Sequence, residues 1–159
     1  MPKPLPHDVI RKLVSDLTAA PDHPRLQITI TNCYLELLTY VLATNKCKNA
    51  PRIAEARRDF TQSVLITLLH EAAIISDADA KMLHWFRQRR NAAAHEVEFS
   101  VSKEHLSPFR GCRASDRKTP LDDPKNLNTL CLEAVFGFWN HHVEVFAPIF
   151  HPELFEKNG

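Results

Sequence analysis

Arg90, Asn91 and His95 place a fixed cation, a carboxamide and a titratable imidazole within six residues, with only alanines between Asn91 and His95. A guanidinium holds a phosphate through two parallel hydrogen bonds. An imidazole takes or gives a proton near neutral pH. The alanines favour helix and leave room beside the polar groups. Together these residue types suggest phosphodiester chemistry, although they also suit the polar end of an ordinary packed helix. With eleven arginines and nine histidines in the chain, a bare Arg-x-x-x-x-His pattern turns up by chance about half a time per sequence of this length. Meaning therefore comes from where the residues sit, not from the spacing alone.

The elements that must position them are marked by proline and glycine. Eleven prolines and three glycines punctuate the chain. Proline breaks helix interiors but is tolerated in first turns and loops, so the long proline-free stretches are the expected helices. A first helix is expected over residues 8–19, with Val9, Ile10, Leu13, Val14 and Leu17 on one side. A second spans about Pro24 to Thr44 and is apolar over most of its circumference, with Thr29, Asn32, Glu36 and Thr39 as a narrow polar stripe. Such a helix is central, or faces both a core and a partner. A short basic helix from Pro51 to Arg58 and another helix from Asp59 to Ile74 follow. Ser76 or Asp77 caps the next helix, which runs to about His95, with Asp79 favourable to its dipole. Residues 97–101 alternate like a short extended segment, residues 111–123 read as a polar loop, and a last long helix begins near Pro124. The expected fold is all-α: a single helical domain over residues 1–159, about five helices in one bundle, with its core at about 8–147 and a polar tail from 148 to 159.

Bulk properties fit that picture. Hydrophobic content is 44%, charged content 25% and net charge +1, so no global basic field demands a nucleic-acid reading. Any RNA contact has to rest on a local patch. Cys33, Cys47, Cys112 and Cys131 form no Cys-x-x-Cys pair, and Cys33 and Cys131 lie in apolar patterns where a thiol acts as a small hydrophobe. The start lacks an apolar signal segment and no apolar run is long enough to span a bilayer. The simplest expectation is a soluble, reduced, cytoplasmic protein with no membrane contact.

On a helical wheel with about 100° per residue, Met82, Leu83, Phe86, Ala93 and Ala94 form an apolar face. His84, Arg87, Gln88, Asn91 and His95 form the opposite polar stripe. Asn91 and His95, one turn apart, can meet, and Arg87 stands one turn before Asn91. Arg90 differs, projecting near the centre of the apolar face between Phe86 and Ala94. An unpaired buried cation is costly, which leaves three explanations. Arg90 snorkels to solvent, pairs with an acid such as Glu36, or lines a cleft where a ligand phosphate completes the pairing.

The combination Arg90, Asn91, three residues, His95 resembles the HEPN superfamily. The run from Phe60 to Asp77 into the motif helix, and Glu36 on a preceding apolar helix, are similar too, so that the likeness extends over about residues 25–99. The layout, including Phe99 to Phe109, is also similar to mannitol-operon repressor proteins, which generally lack the Arg/His pair. The HEPN resemblance implies a metal-independent endoribonuclease of toxin or defence type, acting as a homodimer on RNA without a cofactor, with an antitoxin or regulatory protein as a further partner. It implies that His95 moves the proton of the 2′-hydroxyl or of the leaving oxygen, that Arg90 binds the scissile phosphate, and that Asn91 orients one of them. Glu36 and Arg87 would support them. The alternative is a non-catalytic regulatory or interaction module resembling the mannitol-operon repressors. His70-Glu71 lacks a second histidine at position 74, adjacent His141 and His142 point about 100° apart on a helix, and His84 and His95 lie about 16 Å apart, so none of them reads as a metal pair.

Overall fold

The computed structural model describes residues 9–155. Its α-helices are α1 (Val9–Thr18), α2 (Pro24–Lys46), α3 (Ala50–Glu55), α4 (Gln62–Glu71), α5 (Asp77–His95), α6 (Leu127–His141) and α7 (Val143–Phe150). Single 3-10 turns stand at Ser107–Phe109, Pro124–Asn126 and Pro152–Leu154. The fold is all-α. Among the described residues the only extended pairing is an isolated bridge between Arg113 and Pro120, so the alternation at 97–101 does not make a strand. Val101 is buried from that segment, while Val97 is 96% exposed. Among the described residues, no helix is long and apolar enough to cross a membrane.

α2 is the hub and packs against every other α-helix. Ile28, Leu35, Leu38 and Leu42 are fully buried along it. The polar stripe expected on α2 is not a solvated face: Asn32 and Thr39 are buried as well. Thr31 and Thr39 donate their hydroxyls to Gln27 and Leu35 carbonyls, both at 2.7 Å. The Asn32 and Gln62 amides exchange two hydrogen bonds of 3.2 Å between α2 and α4. A buried polar group is tolerated once it is paired, and these pair within the core.

α4 ends in a left-handed turn at a residue that is not glycine. Ala73 has φ of 54°, and the N–H groups of Ala73 and Ile74 bond to the carbonyls of His70 and Leu69, the pattern of a Schellman cap. An L-residue is strained in that conformation. Ala73→Gly is expected to raise stability by about 0.5–1 kcal/mol, read as a higher midpoint in urea; an unchanged or lower midpoint contradicts the account.

α5 is capped by Ser76, whose hydroxyl accepts from the Asp79 N–H at 3.1 Å, and it ends at His95 as expected. It packs on α2 and α4 through fully buried Leu83 and Phe86. A second side is also covered. The Trp85 indole donates to the His105 carbonyl at 2.7 Å and meets Phe109 edge-on at 5.0 Å between centroids. The 101–109 segment therefore acts as a clasp across α5.

The expected single C-terminal helix is two. Between α6 and α7 His142 leaves helical geometry (φ −128°, ψ 30°), and no proline marks the place. The break lets adjacent His141 and His142 both approach Asp79 on α5, at 2.9 and 3.9 Å. An unbroken helix would turn neighbouring side chains about 100° apart. The polar tail also begins later than residue 148, because α7 runs to Phe150, whose ring is fully buried and packs 5.2 Å from Trp139. Met1 to Asp8 and Glu156 to Gly159 lie outside the described residues.

Candidate functional site

α2 and α5 lie side by side so that the start of one meets the end of the other, where the Arg/His motif stands. α5 has no glycine after its last turn, so its terminal carbonyls need another donor. Arg25, in the first turn of α2, supplies it. Its guanidinium donates to the carbonyls of Ala93, Glu96 and Val97, the last two at 2.8 and 3.0 Å. It also lies 5.7 Å from the centroid of the Phe99 ring. A cation at a helix C-terminus also complements the helix dipole. Sequence reasoning missed Arg25. The signal available was an arginine in a helix first turn that holds no acid, with an uncapped helix end elsewhere to receive it.

Arg90 is exposed, as is Ala94, so the apolar face of α5 is not covered as far as these two residues. The Arg90 guanidinium reaches solvent and is not paired with an acid among the described residues. Its Nη1 donates to Asn91 Oδ1 at 3.3 Å, and no ion pair joins it to Glu36 among the described residues. The two charges instead flank Cys33 from α5 and α2. Burial, then Glu36, push the Cys33 thiol above its ordinary value, while Arg90 works against them. Cys33 is exposed rather than a core hydrophobe, whereas Cys131 is buried as expected, with burial pushing its thiol up to about 12.

Glu36 also lines a shallow hollow with Tyr40, Arg57 and Arg58, and Arg57 lies 4.9 Å from the Tyr40 ring centroid. Glu36 thus shares this hollow with two cations from the segment after α3. His95 is exposed and has no hydrogen-bond or ion-pair partner among the described residues. On a helix the five-residue step turns it about 140° from Arg90 and carries it about 7.5 Å along the axis. One copy of the chain therefore joins Arg90 to Asn91, while His95 stands apart. Arg87 is half-buried and its Nε is buried without a partner. It faces His84, whose imidazole is held below its ordinary value by burial first and by Arg87 second.

At the other end of α5 lies a second polar cluster that sequence reasoning missed. Asp79 is buried and bonds His141 Nδ1 at 2.9 Å. His142 is buried beside it, its ring 5.2 Å from Phe138. The adjacent histidines were visible in the sequence, but the helix break that turns both toward one carboxylate was not. Among the described residues no three His, Cys, Asp or Glu side chains are arranged to hold a metal ion.

Burial holds the His142 imidazole below its ordinary value, opposed by Asp79 and Glu144 and assisted by His141 and Lys46. The unfolded chain takes up this proton more readily than the folded one, so the contribution is fully present above the ordinary histidine value and is lost as pH falls through it. Melting temperature is expected to drop between pH 7 and pH 5, and His142→Gln to drop less. His84 shifts in the same direction, so part of the dependence remains. An equal drop in both proteins contradicts the assignment.

No protein-family model, curated protein or solved structure matches the chain.

Proposed function

We propose that Arg90, Asn91 and His95 form a metal-independent RNA-cleaving site of HEPN type, completed when two copies of the chain face one another. The observation that carries this reading is the state of Arg90: an exposed guanidinium steadied by Asn91 rather than neutralised by a buried acid. A cation in that state is available to a phosphate.

His95 removes the 2′-hydroxyl proton. The 2′-oxygen then attacks phosphorus and the bond to the 5′-oxygen breaks, that oxygen taking a proton from solvent and His95 later returning its own to solvent. The products are a 2′,3′-cyclic phosphate and a 5′-hydroxyl, so neither metal nor water is consumed. Arg90 stabilises charge on the non-bridging oxygens. Arg57 and Arg58, beside Glu36, extend the cationic surface for the RNA backbone. A second copy is required because Arg90 and His95 diverge on their helix. Exposed Leu26 and Val97 supply apolar surface for that contact or for an antitoxin or regulatory partner.

The same apolar residues support a second reading, a non-catalytic helical module that pairs or binds a regulator without turnover. Incubating wild-type and His95→Ala proteins with structured and unstructured RNA in chelator separates the two. Cleavage by the wild type alone supports the proposal; equal cutting by both, or none by either, overturns it.

A further inference from the structure

Where α5 begins, its first turns, the 108–112 segment and α6 enclose a cavity of about 730 Å³. That volume lies within the usual range for small-molecule sites, roughly 300–1,000 Å³. Much of its wall is apolar, from Met82, Phe109, Ala134, Gly137 and Phe138. Its charge is one-sided: the carboxylates of Asp77, Asp79 and Glu133 line it against the ammonium of Lys81. Asp77 and Asp79 stand in the first turn of α5, where the helix dipole favours an acid. The dipole does not account for Glu133, which lies mid-helix in α6. Its two oxygens accept from the Ser115 N–H and hydroxyl, both at 2.8 Å, and each oxygen keeps a second lone pair.

Asp79 is the buried member of the three. Its side chain is only 8% exposed, and its Oδ1 bonds His141 Nδ1 at 2.9 Å. For Oδ2 the ionic partner is His142 Nε2, 3.9 Å away, which is beyond hydrogen-bond range. That nitrogen is itself buried without a partner. A carboxylate oxygen on so little exposed a side chain is costly without a hydrogen bond, and a donor brought by a ligand relieves that cost. Lys81 acts on Asp77, which His70 already bonds at 2.7 Å, so the open acceptors are those of Asp79 and Glu133. We propose that this cavity binds a small organic cation, its protonated amine held by Asp79 and Glu133 and its apolar body set against Met82, Phe109 and Phe138. The site stands at the opposite end of α5 from His95, and its occupancy does not depend on RNA cleavage.

Calorimetric titration compares 2-naphthylethylammonium with its neutral counterpart 2-naphthylethanol and with 2-naphthylacetate. The ammonium is expected to bind at least about tenfold more tightly than either. Glu133→Gln keeps an acceptor for Ser115 while removing the charge, and should weaken the ammonium about threefold; Lys81→Met removes the competing cation and should tighten it about threefold. A Cβ built at Gly137 meets no heavy atom within 4 Å, so Gly137→Leu can fill the cavity and should abolish binding with no fall in melting temperature. In the wild type the His141 and His142 ring resonances should shift as the amine reaches Asp79. Failure of the ammonium to bind at millimolar concentration overturns the proposal and leaves the cavity to water. So does equal or tighter binding of the alcohol or the acetate, or an affinity unchanged in both Glu133→Gln and Lys81→Met.

Discussion

His95→Ala is expected to lower RNA cleavage about 10²- to 10⁴-fold, the usual worth of a positioned proton-transfer group, while leaving the melting temperature unchanged. The two halves of that expectation have separate origins. The imidazole carries the proton in the proposed reaction, so its loss removes the transfer. It is also exposed and unbonded among the described residues, so its loss strands nothing. Arg90→Ala serves as its companion. Were Arg90 one half of a buried ion pair, removing it would cost about 3–5 kcal/mol. Because it reaches solvent and bonds only its neighbour Asn91, the expected stability change is within about 0.5 kcal/mol. A loss of several kcal/mol in Arg90→Ala would make it a structural cation and remove the main support for the site. The pair of measurements, RNA turnover and urea midpoint on both variants, separates chemistry from folding.

Arg25→Ala carries the largest expected loss of stability. Its guanidinium satisfies carbonyls of Ala93, Glu96 and Val97 at the end of α5, and hydrogen bonds from a charged donor are worth about 1.5–3 kcal/mol each when well shielded. With partial exposure, a total of about 2–3 kcal/mol is expected, a fall in melting temperature of about 5–10 °C. Arg25→Lys should recover only part of this, because an ammonium lacks the planar fork that reaches several carbonyls together. The loss should be concentrated locally: amide exchange should accelerate over the last turn of α5 and the following residues, which carry His95. A uniform loss of protection across all helices, or none, would contradict the role assigned to Arg25.

Arg25 also marks where the sequence was and was not legible. The helices carrying the site were readable because proline placement and the Ser76 cap are local signals, and α5 ends at His95 as the pattern implied. Reading burial from polarity failed in both directions. Asn32 belongs to the narrow polar stripe of α2 and lies in the core, because Gln62, thirty residues on, completes its hydrogen bonds. Arg90 stands on the apolar face of the helical wheel and is exposed, because a long side chain escapes where a helix face ends. Trp85 lies off the apolar face of α5 and is buried all the same, because the clasp that covers it comes from the irregular 101–109 segment, which no periodicity announces. Likewise, His141 and His142 meet Asp79 only through a helix break, a tertiary event without proline or glycine to signal it. Most of these misses are long-range pairings, while among the local signals the alternation at 97–101 failed to make a strand.

The central claim, a site shared between two copies, is tested most directly by mixing two inactive proteins. His95→Ala and Arg90→Ala are combined in equal amounts, allowed to exchange subunits, and assayed on RNA in chelator. In a mixed two-fold dimer one site unites the intact Arg90 of one copy with the intact His95 of the other, while its mate has neither. Random exchange makes half the dimers mixed, so about a quarter of wild-type cleavage should return. A mixture as inactive as its parents, beside an active wild type, would contradict the shared site.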